Sequence, residues 1–375
     1  MSRNLLKLAV GAAVLAMSMS TQAAGNNGVV VSVAPEKASM GKSDDVVVKV
    51  TFTNTSGSPQ YVLKSHTPFE GVSAPVFEVT RDGQPVRYMG KIVKRAAPTA
   101  ADYYLLKPGA SYTVKVELSA LYDMATTGEY AVRYHAASPQ LFAGSGPTDN
   151  ATAMRAGADV QDGAKRGGEL QSDAASMWID GTRPRGSREE TKSLAEMQAA
   201  SGMATAASLS TTSCSSSQQS TIASALSAAQ TYAGNADAYM AKTTMGSRYT
   251  KWFGTVNSTR VSTIRSHFAN IKSTLATKPI NVNCGCSDSS YAYVYPNQPY
   301  TIYVCKAFWS APLTGTDSKA GTLIHETSHF TVVAGTDDWA YGQSAAASLA
   351  ISNPSQAIDN ADSHEYFSEN NPALN

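Results

Sequence analysis

The chain has 375 residues, 42% of them hydrophobic and 16% charged, which is enough apolar material for two globular cores. Lys and Arg number 30 against 29 Asp and Glu, a formal net charge of +1, so the electrostatic argument for binding nucleic acid or an acidic membrane is absent. A collagen, a coiled coil and a wholly disordered chain are excluded as well.

Residues 1–23 read as a secretory signal: Arg3 and Lys7 give a positive start, Leu8 to Met17 an apolar stretch, and Thr21-Gln22-Ala23 a small-residue cleavage site. The mature protein is therefore expected outside the cell. Beyond this segment no apolar run is long enough to span a bilayer, so no stable membrane association is expected. Residues 24–140 carry short β-prone runs at Val29 to Val33, Val46 to Phe52, Val76 to Thr80, Tyr112 to Leu118 and Tyr130 to Tyr134. Turn signals at Asp82-Gly83, Pro108-Gly109 and Gly128 separate them, which predicts an all-β, Ig-like antiparallel sandwich. Residues 141–210 are rich in Gly, Ala, Ser, Thr and charge, the composition of a mobile linker. Trp178 and Ile179 are exceptions that could dock on a neighbour, and the basic cluster around Arg183, Arg185, Arg188 and Lys192 is a candidate protease-sensitive site.

Residues 211–375 read as mainly α. Val261, Ile264, Phe268, Ile271 and Leu275 repeat at helical spacing, so a long amphipathic helix is predicted there. Tyr291 to Tyr295 and Tyr300 to Cys305 suit a small β-hairpin, and further helices fit Ser318 to Val333 and Pro354 to about Asn370. All four cysteines, Cys214, Cys284, Cys286 and Cys305, lie in this half, and export favours disulfides over a zinc–thiolate site. Bridging Cys284 to Cys286 would strain a very small ring, which leaves Cys214 paired with Cys284 or with Cys286.

The chemistry concentrates in one segment. His325 and His329 stand one helical turn apart, so both imidazoles reach one metal ion, with Glu326 beside the position of a bound water. With six His in the chain, the expected number of accidental H-E-x-x-H matches is about 0.007. A catalytic zinc needs a third protein ligand. Gly335 stands where a metzincin would place its third His, which rejects that pattern, and Glu365 or Glu369 would serve a thermolysin-like set. Asp338 is the nearer candidate, because Gly335 and Thr336 can end the helix and turn the chain back, with Asp337 as its competitor.

The string His325-Glu326-x-x-His329 followed by Gly335-Thr336-x-Asp338-x-x-Tyr341-Gly342 resembles the aspzincins, the deuterolysin and peptidyl-Lys metalloendopeptidase family. The resemblance implies a zincin-like C-terminal domain in which His325, His329 and Asp338 bind one zinc ion. It implies Glu326 as general base and acid, and Tyr341 as hydrogen-bond donor to the developing oxyanion. Asp362 and Glu365, three apart on a predicted helix, match the acidic pair that in the Lys-specific branch receives the residue after the cleaved bond. The rival readings of that pair are a solvated helix face and carboxylates behind a zinc-bound His. The resemblance covers about residues 210 to 375 and implies disulfides Cys214–Cys284 and Cys286–Cys305. The N-terminal sandwich and linker then resemble the propeptide of a secreted bacterial zymogen, acting in cis on an enzyme with protein or peptide substrates. Similarity to toxic aspzincin exoproteases of Gram-negative pathogens implies a virulence exotoxin. The alternative from another class is an exported adhesion or binding module with a structural zinc. If the chain processes itself before a lysine, Lys192 is the candidate position.

Overall fold

The computed structural model describes residues 26–143, 168–181 and 208–375. The expected signal segment and Lys192 lie outside these residues. In chain order the N-terminal strands are β1 (Val29–Pro35), β2 (Ser39–Met40), β3 (Val47–Asn54), β4 (Gln60–Leu63), β5 (Phe77–Arg81), β6 (Gln84–Pro85), β7 (Ile92–Lys94), β8 (Tyr103–Leu106), β9 (Ser111–Glu117), β10 (Gly128–Ser138), β11 (Gly168–Gln171) and β12 (Ala175–Ile179). Alternation decides which faces are covered. Val48, Val50 and Phe52 of β3 point inward between exposed or half-buried Lys49, Thr51 and Thr53, and Tyr130, Val132, Tyr134 and Ala136 do the same along β10.

β1, β3 and β9 form one antiparallel sheet, with Val31 opposite Phe52 and Val50 opposite Val114. A second sheet runs in the order β2-β12-β10-β5-β6, with β11 paired to β10. Their inner faces share one core, in which Phe52 meets Tyr134 edge to face at 5.2 Å. The five β-prone runs of the sequence all appear as strands of these sheets. The reading of 141–210 as linker fails at β11 and β12. Leu170, Met177 and Ile179 are buried while Trp178 is half exposed, a pattern too short to register until β10 pairs with it.

The C-terminal elements are β13 (Ser208–Thr212), α1 (Ser216–Met240), α2 (Ser247–Phe253), α3 (Ser258–Thr277), β14 (Pro279–Asn283), β15 (Ala292–Val294), β16 (Thr301–Val304), α4 (Lys306–Ser310), α5 (Lys319–His329), α6 (Gln343–Ser352), α7 (Pro354–Ala357) and α8 (Ala361–Glu369). No described helix is long and apolar enough to cross a membrane. α1 opens with a capping box between Ser215 and Gln218 and buries a stripe of small residues, Ala225, Ala229, Ala233 and Ala236, that lets α3 and α5 approach closely. α3 buries the predicted Val261, Ile264, Phe268, Ile271 and Leu275. Disulfides join Cys214 to Cys284 and Cys286 to Cys305, the pairing the resemblance implies.

Three expectations are corrected here. The hairpin β15–β16 belongs to a five-stranded mixed sheet, β13-β14-β16-β15-β7, whose last strand comes from the N-terminal half. β13 is polar and only partly buried, so no apolar pattern announces it. The helix expected over Ser318 to Val333 stops at His329, where Phe330 turns out of the helical region and frees the chain to reverse at Gly335, φ 65°. The helix expected from Pro354 is two, because Asn360 is extended between α7 and α8 and bridges Asp337.

Candidate active site

α5 and α8 pack face to face and are buried along their whole lengths. Gly321 permits the approach, since a Cβ there would overlap the Glu369 carboxylate and stand 3.0 Å from Glu365 Cγ. Glu369 accepts hydrogen bonds from Ser318 Oγ at 2.7 Å and Ser318 N at 2.9 Å, and Ser318 Oγ accepts from Gly321 N, so the carboxylate fastens the start of α5. Glu369 is thus a structural anchor and lies apart from the candidate metal ligands.

His325 and His329 project from α5 with ring centres 4.8 Å apart. Asp338 Oδ1 comes within 3.2 Å of His325 Nε2 and 3.6 Å of His329 Nε2. The loop that brings it back is clamped: Asn360 Oδ1 accepts from Trp339 N and Ala340 N at 3.0 Å each, while Ala361 N donates to Asp337 O. His329 Nδ1 faces Thr336 O at 2.6 Å; donation there leaves the Nε2 lone pair free toward Asp338. Thr336, read in the sequence only as part of a turn, therefore orients a candidate ligand.

His325 Nε2, His329 Nε2 and Asp338 Oδ1 are buried and have no protein hydrogen-bond partner. Two imidazole nitrogens and one carboxylate oxygen are the donor set of a catalytic zinc site, and these atoms lie close enough to share one ion. The charge balance agrees. Burial alone would depress His325, but Asp338 and Asp362 outweigh it and raise its pKa well above the ordinary value, so the surroundings favour a cation. Both carboxylate oxygens of Glu326, next to His325, are also buried and unpartnered. Burial pushes its pKa up to about 8 against the pull of His325. Tyr341 Oη lies 3.0 Å from Asp338 Oδ2 and 2.9 Å from Val93 O.

Asp337, the competitor of Asp338 in the sequence, is half-buried, and its carboxyl is pushed up by burial and by Asp359 beside it. It is absent from the cluster that includes Asp338. Asp362 and Glu365 are fully buried, which removes the reading of a solvated helix face. Asp362 Oδ1 is 2.9 Å from His325 Nδ1, and Asp362 Oδ2 accepts from Gly342 N at 2.7 Å, where φ is 86°. Glu365 Oε2 is 3.2 Å from the same imidazole nitrogen. These carboxylates also hold a residue the sequence gave no reason to single out: Lys94, the last residue of β7, is fully buried against both. Burial alone would depress its ammonium, yet Asp362, Glu365 and Asp317 raise its pKa well above the ordinary lysine value.

Comparison with known proteins bears on the family of the chain. A profile of the aspzincin family, described as lysine-specific metallo-endopeptidase, matches residues 237–369. An extracellular protease of Aeromonas hydrophila is 44% identical over 89% of this chain and 91% of its own. A peptidyl-Lys metalloendopeptidase of Armillaria mellea is 38% identical over 92% of this chain and 95% of its own, and one of Pleurotus ostreatus is 55% identical over 43% of this chain and 96% of its own. A solved zinc peptidase from Grifola frondosa, 52% identical, covers 43% of this chain and 100% of that one with a TM-score of 0.42. Identity sustained along nearly the whole chain sets aside an exported binding module, and the chain belongs to the aspzincin family of zinc metalloendopeptidases.

Proposed function

We propose that this enzyme is a secreted endopeptidase made as a zymogen, cutting protein chains before lysine. In this reading His325, His329 and Asp338 hold the zinc, and the two-sheet N-terminal half, an Ig-like sandwich in type, is a prodomain acting in cis. When bound, zinc supplies Lewis acidity that acidifies a water and polarises a carbonyl. Glu326 takes the proton of the attacking water and delivers it to the leaving amine, a task for which an unpartnered buried carboxylate is suited. The positive charge of the ion would draw its raised pKa back toward the basic form needed for the first step. Tyr341 donates a hydrogen bond from its hydroxyl to the carbonyl oxygen as negative charge develops there.

The observation that carries the reading is the buried cluster of three orphaned donor atoms, His325 Nε2, His329 Nε2 and Asp338 Oδ1, with the buried, unpartnered carboxylate of Glu326 next to His325 in the chain. The lysine preference is supported by the ammonium of Lys94 lodged between Asp362 and Glu365. Asp362 then serves twice, since it also holds His325 Nδ1. Export is supported by the disulfides and by the Aeromonas relative's being an extracellular protease. The Pleurotus relative, nearly all of it matched by less than half of this chain, supports an enzyme unit that works without the rest. An exotoxin role rests on the resemblance alone.

The test is Glu326→Ala beside Asp338→Ala, with metal analysis and cleavage-site mapping. The first variant keeps zinc and loses about 100-fold or more of the peptide cleavage; the second loses zinc. Retained activity in Glu326→Ala contradicts the mechanism, and cleavage indifferent to lysine discards the pocket.

A further inference from the structure

The loop that leads into α5 carries a carboxylate that the start of the helix does not need. Ser318 caps α5 through its Oγ, which accepts from Gly321 N at 2.9 Å, and Glu369 accepts from the backbone N of Asp317 at 3.2 Å and of Ser318 at 2.9 Å. The Asp317 side chain therefore has no capping role. Its Oδ1 instead accepts from the hydroxyl of Tyr366, a fully buried residue, at 2.7 Å and stands 3.8 Å from Lys94 Nζ. Other elements brace the loop: Gly315 N donates to Tyr232 Oη at 3.0 Å, and Asn371 Nδ2 donates to Thr316 Oγ1 at 3.0 Å. The backbone at Asp317 is left-handed, φ 50°. Gly adopts that conformation without strain and Asn as readily as Asp, so the carboxylate is not there for the sake of the backbone.

Three carboxylates surround the ammonium of Lys94: Glu365 Oε2 at 2.5 Å, Asp362 Oδ1 at 3.3 Å and Asp317 Oδ1 at 3.8 Å. An ammonium concentrates three N–H donors on one nitrogen, which suits acceptors arranged around a point. The three differ in their other duties. Asp362 and Glu365 are sealed from water and also pair with His325 Nδ1, so any change in them reaches the metal cluster through that imidazole. The Asp317 side chain is 37% exposed and is not among the ion-pair partners of His325 in the described residues. It can act on an ammonium alone.

We propose that Asp317 is a specificity-determining residue, the water-facing third wall of the lysine pocket, which attracts and holds the ammonium of a substrate lysine without altering the metal site. This rests on the reading of Asp362 and Glu365 as that pocket and deepens it. An incoming lysine meets a carboxylate still in contact with solvent before it reaches the sealed pair. Part of the Asp317 field runs through solvent, so its share of the attraction is screened by salt, while that of the buried pair is screened far less. Its contribution belongs to binding rather than to the chemical step, because the ammonium carries the same charge before and during bond cleavage.

The test is Asp317→Asn, which removes the charge but keeps an acceptor for the Tyr366 hydroxyl and a side chain suited to the left-handed backbone. The full-length chain is produced with zinc, matures as the parent does, and is assayed on a fluorogenic hexapeptide with one central lysine and on its alanine counterpart. KM for the lysine peptide rises about tenfold, kcat stays within about twofold and zinc content is unchanged. Between about 0.05 and about 0.5 M salt the parent's KM climbs, and that of the variant climbs severalfold less. A lysine KM and a salt response that match the parent overturn the inference, and so does an equal loss on the alanine peptide, the mark of a structural role. If the variant does not mature, the full-length chain carrying Glu326→Gln decides. Adding Asp317→Asn there makes acetic anhydride label Lys94 severalfold faster, since one of the charges that keep the ammonium sealed is gone; unchanged labelling overturns the inference. Failure of the pocket reading shows in the parent itself, as equal rates on the lysine and alanine peptides.

Discussion

Lys94 and Asp362 are 268 residues apart in the chain, and their charged atoms lie 3.3 Å apart in a place sealed from water. The carboxylate in that pair also stands 2.9 Å from the imidazole of His325. The charge of Lys94 and the electrostatics of the candidate metal cluster are therefore linked through one side chain. Removing the lysine leaves Asp362 and Glu365 with the imidazole of His325 as a remaining close partner.

Tyr341→Phe separates a donor from a packing group. The ring is buried and the phenylalanine keeps its shape, but the hydrogen bonds from Oη to Asp338 and Val93 disappear. In the processed enzyme kcat is expected to fall by about 100-fold with KM little changed, the pattern of a contact made mainly in the transition state. A rise in KM at unchanged kcat would assign Tyr341 to ground-state binding instead.

A pair of histidines behind the site makes stability depend on pH. His267 Nδ1 and His364 Nε2 are 3.0 Å apart, and His364 Nδ1 faces Asn360 O at 2.9 Å, so the neutral pair shares its protons without conflict. Burial lowers the pKa of His364 to about 3, with His267 adding to the effect, and burial lowers His267 to about 4. Such groups take up protons more readily in the unfolded chain. Their contribution is present in full above the unfolded value of 6.5 and is lost as pH falls toward the folded ones. For the fully buried His364 alone this is about 2 kcal/mol between pH 6.5 and pH 5. Urea unfolding at several pH values checks it; stability rising with acidity over that range would refute the assignment.

The two disulfides should differ in worth. Cys214–Cys284 spans 70 residues and Cys286–Cys305 spans 19, so loop-closure entropy gives about 4.4 and about 3.2 kcal/mol respectively. Cys214→Ser with Cys284→Ser is expected to lower the denaturant midpoint more than Cys286→Ser with Cys305→Ser. Equal or reversed losses would point to strain or residual structure as the larger effect.

The sequence alone was enough for whatever short-range periodicity encodes. The spacing of His325 and His329 puts both rings on one helical face by geometry, and Gly335-Thr336 marks the reversal that returns Asp338 to them. The apolar stripe of α3 and the alternation of β3 and β10 were legible for the same reason, since one covered face imposes a period on neighbouring residues. Nothing local distinguishes Lys94 from any other lysine beside a β-prone run, and in the expected linker only Trp178 and Ile179 stand out, while Leu170 and Met177 carry no local signal. Their placement depends on β7 reaching β15 and on β10 accepting β11 and β12, pairings set by the register of distant strands. The same holds for Asp362 and Glu365: three residues apart on a helix they could have faced water, and only the packing of α8 on α5 turned them inward, toward His325 and Lys94. Chain-local geometry thus defined the metal motif, while long-range packing decided what else surrounds it.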